Sequence, residues 1–374
     1  MSKIAVVIPL YKERLSRNEI ISLEQCRKVL GGYDFFFLSP ERLNVPFRKD
    51  EKIVYTSKEN LSSRKKYSDY VLSLEFYSLF DEYEFMLIYQ LDAFVFEDKL
   101  EYFCGLDYDY IGAEWLYGLE CHTQDGQLWY FGNGGLSLRR VSAFKKWITE
   151  DKSVVDYGRM LLPEDLVISI YGREHLRIAD RKIAMKFSYD LHPEECFHMN
   201  GDKLPFGCHA WYRFDNVFWK KIIDTYGYDV ELVDVSDTET QLLCSGKERD
   251  EKLKKYYNKD KIDICLRQII TKYDGELYVF GAGQYGFSFI NMIKNTSVLV
   301  KGVIDNDISK AGKYVEGIPI LRLNDVFNNG ENVVVLVTMG NPGSVMKSLD
   351  EIGLIKGVNY ACSRDLQMCM CEVS

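Results

Sequence analysis

Apolar residues in the N-terminal half come as short unbroken runs separated by stretches of helical periodicity. Lys3-Ile-Ala-Val-Val-Ile-Pro9 is continuous, β-branched and closed by proline, which predicts a strand buried on both faces. A loop at Leu10 to Glu13 follows, a helix begins at Asn18 or Ser22 and runs through Lys28, and Tyr33-Asp-Phe-Phe-Phe-Leu38 predicts a second strand stopped by Ser39-Pro40. Lys52-Ile-Val-Tyr55 predicts a short third strand, Ser68 to Phe80 a helix, and Phe85 to Leu91 a further buried strand that ends at Asp92. Strands alternating with helices in this way predict an α/β sheet with helices on both faces.

The middle of the chain is less regular. Tyr110-Ile-Gly-Ala113 leads into a long aromatic loop reaching Phe131, then Gly132-Asn-Gly-Gly-Leu-Ser-Leu138 and a helix from Ser142. Asp165 to Tyr171 reads as a helix, Ile183-Ala-Met-Lys-Phe187 as a strand, and Pro205-Phe-Gly-Cys-His-Ala-Trp211 closes this half. Long loops in a compact domain are usually functional. Between residues 226 and 272 the chain turns charged and helix-prone with no apolar strand, as a linker or bracing helix pair would. The rhythm restarts with Glu276-Leu-Tyr-Val-Phe280, a glycine turn, a helix, and strands at Leu299 to Ile304 and Val333 to Thr338. The expected layout is therefore a Rossmann-like open-sheet domain over 1–225, a charged helical linker over 226–272 and a smaller Rossmann-like α/β domain over 273–374.

Composition narrows the classes. A chain of 374 residues is long for one compact core, and 47% hydrophobic with 28% charged residues is the composition of a folded protein. A net charge of −9 disfavours general nucleic-acid binding, which needs a basic face. Ten irregularly spaced cysteines without a secretory signal point to a reducing, cytoplasmic compartment. No apolar run is long enough to span a bilayer, so any membrane contact is peripheral, with Arg64-Lys65-Lys66 and Lys220-Lys221 as basic clusters that suit an anionic surface or plain solvent.

Candidate chemistry collects at strand ends and glycine turns. Ligands of open α/β sheets bind beyond the carboxyl ends of the strands, where Asp92 stands; a carboxylate there either caps a turn or holds a divalent cation beside phosphate. Gly132, Gly134 and Gly135 let backbone pass close to a sugar, and Asn133 offers both a donor and an acceptor. Arg139 and Arg140 suit phosphate or solvent. Glu164 and Asp165 follow Pro163 at a helix start, where carboxylates complement the helix dipole; one of them is also a candidate general base. His209 lies between Gly207 and Trp211, and Trp115 and Trp211 offer rings to sugar faces or to the core. In the second domain Gly281-Ala-Gly283-Gln-Tyr-Gly286 follows a strand and opens a helix, with Asp305 about 20 residues further on, as a dinucleotide fingerprint has it.

Gln90-Leu91-Asp92, Tyr110-Ile-Gly-Ala-Glu-Trp115, Gly132-Asn-Gly-Gly-Leu-Ser-Leu-Arg139, Pro163-Glu-Asp165 and Phe206-Gly-Cys-His-Ala-Trp211 together resemble the GT-A glycosyltransferases, over residues 3 to 220. The family's Asp-X-Asp triplet is matched only at its last acid, with Gln90 in the first place. The resemblance implies a nucleotide-sugar donor, Mn²⁺ or Mg²⁺ held at Asp92 with His209, Asp165 as base with Glu164 on the acceptor, and the glycine loop against donor sugar and acceptor. It places the nucleotide at Pro9 and Tyr11. The C-terminal part resembles small Rossmann-like modules of bacterial sugar-modifying enzymes.

The resulting expectation is an inverting, metal-assisted glycosyltransferase moving a sugar, from UDP or a similar carrier, to a glycan or lipid-linked oligosaccharide in surface polysaccharide synthesis. The alternatives are an NAD(P)- or nucleotide-sugar-binding regulatory protein or oxidoreductase acting through Gly281, Gly283, Gly286 and Asp305, and a non-catalytic carbohydrate-binding relative. A homo-oligomer through the C-terminal domain is a further expected partner.

Overall fold

The computed structural model describes residues 3–43, 45, 47–122, 128–151, 154, 163–234, 261–327, 333–339 and 342–372. Most of the segment read as a charged linker, residues 235–260, lies outside them. The chain divides into two compact units, residues 1–118, 130–159 and 163–247 in the first, and 119–129, 160–162 and 248–374 in the second.

The N-terminal strands are β1 (Ile4–Pro9), β2 (Asp34–Ser39), β3 (Lys52–Tyr55), β4 (Phe85–Tyr89), β5 (Phe94–Val95), β6 (Tyr110–Ile111), β7 (Glu114–His122), β8 (Leu128–Phe131), β9 (Leu136–Arg140), β10 (Ser188–Tyr189) and β11 (Gly207–Cys208), all in the first unit except the parts of β7 and β8 within residues 119–129. Six of these form a sheet in the order β3-β2-β1-β4-β9-β6, parallel from β3 to β4 and antiparallel at β9. Every residue of β1 and β4 is buried, as unbroken apolar strands covered on both faces must be. The order reverses between β1 and β4, so the carboxyl ends of these two strands flank a topological switch point, where an open sheet leaves a crevice. A second sheet, β5-β11-β10-β7-β8, brings the short strands of the middle segment together.

Local chemistry fixes the flanking helices. Arg17–Val29 starts at a complete capping box, Ser16 with Glu19, a device that stabilises a helix by about 1 kcal/mol. The helix expected over Ser68 to Phe80 is two short ones, Arg64–Tyr70 and Leu74–Ser78, because Ser63 and Ser73 each cap a new start. Two further expectations are corrected. Ile183 to Phe187 belongs to the helix Arg181–Phe187, started by Asp180 accepting from the Ile183 amide, since a run this short is equally apolar in either state. The aromatic stretch before Phe131 is not a loop but holds β7 and β8.

The second unit builds its own sheet from β12 (Glu276–Phe280), β13 (Leu299–Ile304), β14 (Tyr314–Val315), β15 (Ile318–Leu321), β16 (Val335–Val337) and β17 (Tyr360–Cys362), in the order β14-β15-β13-β12-β16-β17. All pairings except β14 with β15 are parallel. The helix Ile262–Ile269, from the segment read as linker, packs here on Ser363–Glu372, with Cys369 donating to Gln268 at 3.0 Å. The molecule is thus mixed α/β with parallel-rich sheets. Among the described residues no helix is long and apolar enough to cross a membrane.

Candidate functional site

A cleft of about 520 Å³ opens at the switch point of the first unit, lined by the segments that leave β1 and β4. Pro9, Leu10, Tyr11 and Lys12 form one wall and Gln90, Leu91 and Asp92 another, with Arg64, Tyr67, Tyr212 and Arg213 closing the sides. Tyr11 is 63% exposed, so its ring stands open at the rim. The Lys12 ammonium lies 2.7 Å from Glu19.

Three segments converge behind Asp92. The Gln90 amide donates to the Gly135 carbonyl at 2.8 Å, and the Trp211 amide donates to the Asp92 carbonyl at 3.2 Å. These bonds lock the end of β4 to the glycine loop and to the turn after β11. In that turn Ala210 sits at φ 51, a left-handed conformation uncommon for a residue with a side chain. It turns the chain so that His209 faces the acids while Trp211 enters the core, fully buried, with its indole N–H on Ser22.

His209 Nε2 lies 3.1 Å from Asp92 Oδ1 and 3.4 Å from Gln90 Oε1, and its Nδ1 lies 3.2 Å from Asp190 Oδ1. Asp92 Oδ1 is buried and its contact with the ring lacks hydrogen-bond geometry, whereas Oδ2 accepts from Arg213 at 3.4 Å. Burial alone would raise the Asp92 pKa, but the His209 imidazolium and Arg213 outweigh it and hold it at about 2. His209 is the mirror case. Burial would lower its pKa, yet Asp92 and Asp190 on either side raise it to about 10.

The glycine loop is explained by what stands beside it. A Cβ on Gly135 would meet His209 Nε2 at 2.0 Å, and one on Gly134 would meet Glu164 Oε1 at 2.0 Å. Gly132, at φ 121, could carry none without striking Ser169 Oγ at 2.2 Å. Asn133 spans the loop: Oδ1 accepts from the amides of Gly135 and Leu136, and Nδ2 donates to Asp190 at 3.0 Å. Trp115 also donates to Asp190, through Nε1 at 3.0 Å, so its ring is a support rather than an open platform.

Other expected site residues lie deeper. Arg139 is fully buried on the strand β9, paired with Glu164 at 3.4 Å and bonded to Tyr77 and Ser137, so it sits inside the sheet and not on the cleft wall. Glu164 also accepts from Ser68 at 3.1 Å. Asp165 lies behind Gly132, with one oxygen on the Leu166 amide; burial, then the neighbouring Glu164, raise its pKa to about 8. Arg140 instead reaches outward to Glu84, Asp107 and Asp109.

Sequence reasoning did not single out Asp190, Tyr67 or Arg213. Asp190 had a signal of the same kind as Asp92, an acid just past a strand end, but its strand is only two residues long. Among the described residues no three His, Cys, Asp or Glu side chains are grouped to hold a metal ion. The donor set at the cleft is one carboxylate, one imidazole and the Gln90 amide oxygen, which fits a hard divalent cation that takes its remaining ligands from phosphate and water.

In the second unit Gly281 has φ 117 and a Cβ on Gly286 would meet the Gly281 carbonyl at 1.9 Å, while a Cβ on Gly283 would meet nothing within 4 Å. Asp305 Oδ2 accepts from the Ala282 amide at 2.8 Å and from Lys310 at 2.9 Å, which ties the acid to the loop.

A family described only as a protein of unknown function, DUF5672, matches residues 50–209, from the start of β3 to His209. No curated protein matches the chain. Similar solved structures include the mannosyltransferase Ktr4p from S. cerevisiae, 13% identical, aligned over 49% of this chain and 67% of that one with a TM-score of 0.36. The galactosyltransferase LgtC is 11% identical over 63% of this chain and 98% of that one, with a TM-score of 0.38. Core-mannan synthase A from Aspergillus fumigatus, in a Mn/GDP form, is 9% identical over 48% and 72%, with a TM-score of 0.35.

Proposed function

We propose that the chain is a nucleotide-sugar-dependent glycosyltransferase, which transfers a sugar from a UDP-type donor to a glycan or lipid-linked acceptor with inversion. The observation that carries this reading is the cleft at the β1/β4 switch point, where Asp92 Oδ1, buried and without a hydrogen bond, lies beside His209 and Arg213. A departing diphosphate gathers negative charge, so cationic groups fixed near its oxygens lower the barrier. Mn²⁺ or Mg²⁺ held by Asp92 and His209 supplies Lewis-acid stabilisation of that charge. Arg213 and Arg64 on the cleft wall add positive charge that phosphate oxygens accept, and the Tyr11 ring offers its face to the base. The test is a panel of nucleotide sugars given to the full chain with Mn²⁺. Transfer or slow donor hydrolysis supports the reading; UDP binding with no turnover on any donor favours the non-catalytic carbohydrate-binding relative.

In this reading Asp165 takes the proton of the attacking hydroxyl. A carboxyl held at about 8 is a stronger base than an ordinary carboxylate, and it works only when deprotonated. The rate is therefore expected to rise with pH through about 8 and level off above it. Asp165→Asn is expected to lose about 10²–10⁴-fold and the limb with it. A wild-type profile flat from pH 6 to 9 would remove Asp165 from this role.

The open space above Gly283 favours a second reading for the other unit, nucleotide or NAD(P) binding at the Gly281 to Gly286 loop. Titrations with NAD(H) and UDP separate the two. NAD(H) binding abolished in Gly283→Val, with UDP binding intact, supports it; no NAD(H) or UDP response to that substitution overturns it.

A further inference from the structure

We propose that Asp190 is a positioning residue for the cation site, holding the His209 ring so that Nε2, and not Nδ1, is the nitrogen that gives up its proton and faces a cation beside Asp92. The inference rests on reading Asp92 and His209 as the metal pair. Asp190 follows β10 and His209 follows β11, and these two strands run parallel with Tyr189 opposite Cys208, so acid and imidazole leave adjacent strand ends side by side. The acid is only 4% exposed, and three donors converge on it: Trp115 Nε1 and Asn133 Nδ2 on one oxygen, each at 3.0 Å, and His209 Nδ1 at 3.2 Å from the other. Of these donors only His209 carries charge. A buried carboxylate tolerates such a place when a cation balances it, either the ring itself or a metal on the ring's far nitrogen.

The arrangement also selects a tautomer. Asn133 cannot turn its amide round, because Oδ1 is committed to the Gly135 and Leu136 amides, so it presents a neutral N–H donor 2.9 Å from His209 Nδ1, which competes with the charged Asp190 acceptor and is outweighed by it. Asp190 Oδ1 is the acceptor that faces Nδ1. In the neutral ring a proton kept on Nδ1 leaves the Nε2 lone pair on the side of Asp92 Oδ1, 3.1 Å away, which is the orientation a divalent cation would need from both ligands. Asparagine at position 190 keeps the shape but presents a donor to Nδ1, driving the ring proton to Nε2 and aiming an N–H at the cation site.

The experiment measures Mn²⁺ binding to the full chain with UDP present, by the electron paramagnetic resonance signal of free Mn²⁺, for wild type, Asp190→Asn and Trp115→Phe. Melting in EDTA checks the folding of each. Asp190→Asn is expected to weaken Mn²⁺ binding about 10–100-fold with a cooperative melt retained, and Trp115→Phe, which removes one support of the acid, to weaken it less but in the same direction. Mn²⁺ binding by folded Asp190→Asn equal to wild type overturns the proposal and leaves the metal reading standing. If Asp190→Asn does not melt cooperatively, unaltered binding by Trp115→Phe overturns it instead. A wild-type chain that binds UDP but no Mn²⁺ overturns the metal reading, and the proposal falls with it.

Discussion

Asp92→Asn is expected to lower kcat by about 10²–10³-fold and to leave the protein folded, because the amide keeps the shape of the side chain while removing the charge aimed into the cleft. The same substitution has a signature that needs no substrate. In the metal-free protein the His209 pKa stands above its ordinary 6.5, at about 10, so its stabilising contribution is complete below about pH 6.5 and is lost as pH rises toward 10. Asp92 stands below its ordinary 3.8, at about 2, so its contribution is complete above about pH 4 and is lost as pH falls through 2. The stability difference between wild type and Asp92→Asn, measured by melting in EDTA, is therefore expected to be largest between pH 4 and 6.5 and to shrink toward pH 10. A difference independent of pH would mean that Asp92 and His209 are not electrostatically paired. Cation binding must displace the His209 proton, so Mn²⁺ affinity should climb with pH across the same upper range.

What the sequence made legible follows from how local each cause is. β1 and β4 declare themselves as unbroken apolar runs, and with them Pro9 at the end of β1 and the segment after β4 that carries Asp92; β4 itself stops at Tyr89, so Asp92 stands in the turn beyond it rather than at the strand end. The helix caps at Ser63 and Ser73 are equally local, yet the periodicity of Ser68 to Phe80 runs across the break between the two helices and conceals it. Asp190 escaped notice because a strand of two residues leaves no hydrophobic pattern to end. Arg139 read as a contact to phosphate or solvent because a strand-end arginine looks exposed in one dimension. In three dimensions Glu164, Tyr77 and Ser137, two of them distant in sequence, close over it. The proximity of His209 to Asp92 came from resemblance and not from spacing, since their segments meet only through the second sheet and the left-handed turn at Ala210.

The glycine loop shows the same limit most sharply, and it supplies the other large effect. Gly135 looked like a residue that lets a ligand approach, but its missing side chain leaves room for the His209 ring, whose Nε2, Cδ2 and Cε1 would lie 2.0, 2.3 and 2.8 Å from an added Cβ. That ring is not free to retreat, because Asp190 and Asn133 hold Nδ1 and Asp92 lies beside Nε2. Gly135→Ala is therefore expected to displace the imidazole by an ångström or more, to cost about 1–3 kcal/mol in stability by overpacking, and to lower turnover by about 10²-fold through misplacement alone. Loss of Mn²⁺ binding should accompany it, as it does not when a glycine merely accommodates substrate. The control is Gly135→Ala combined with His209→Gly, which clears the steric conflict. In the His209→Gly background, itself weakened because Asp92 and Asp190 lose their cation, the Gly135→Ala step should cost little further stability, and a step as costly as in the wild type would show that the loop is glycine-rich for a reason other than the histidine beside it.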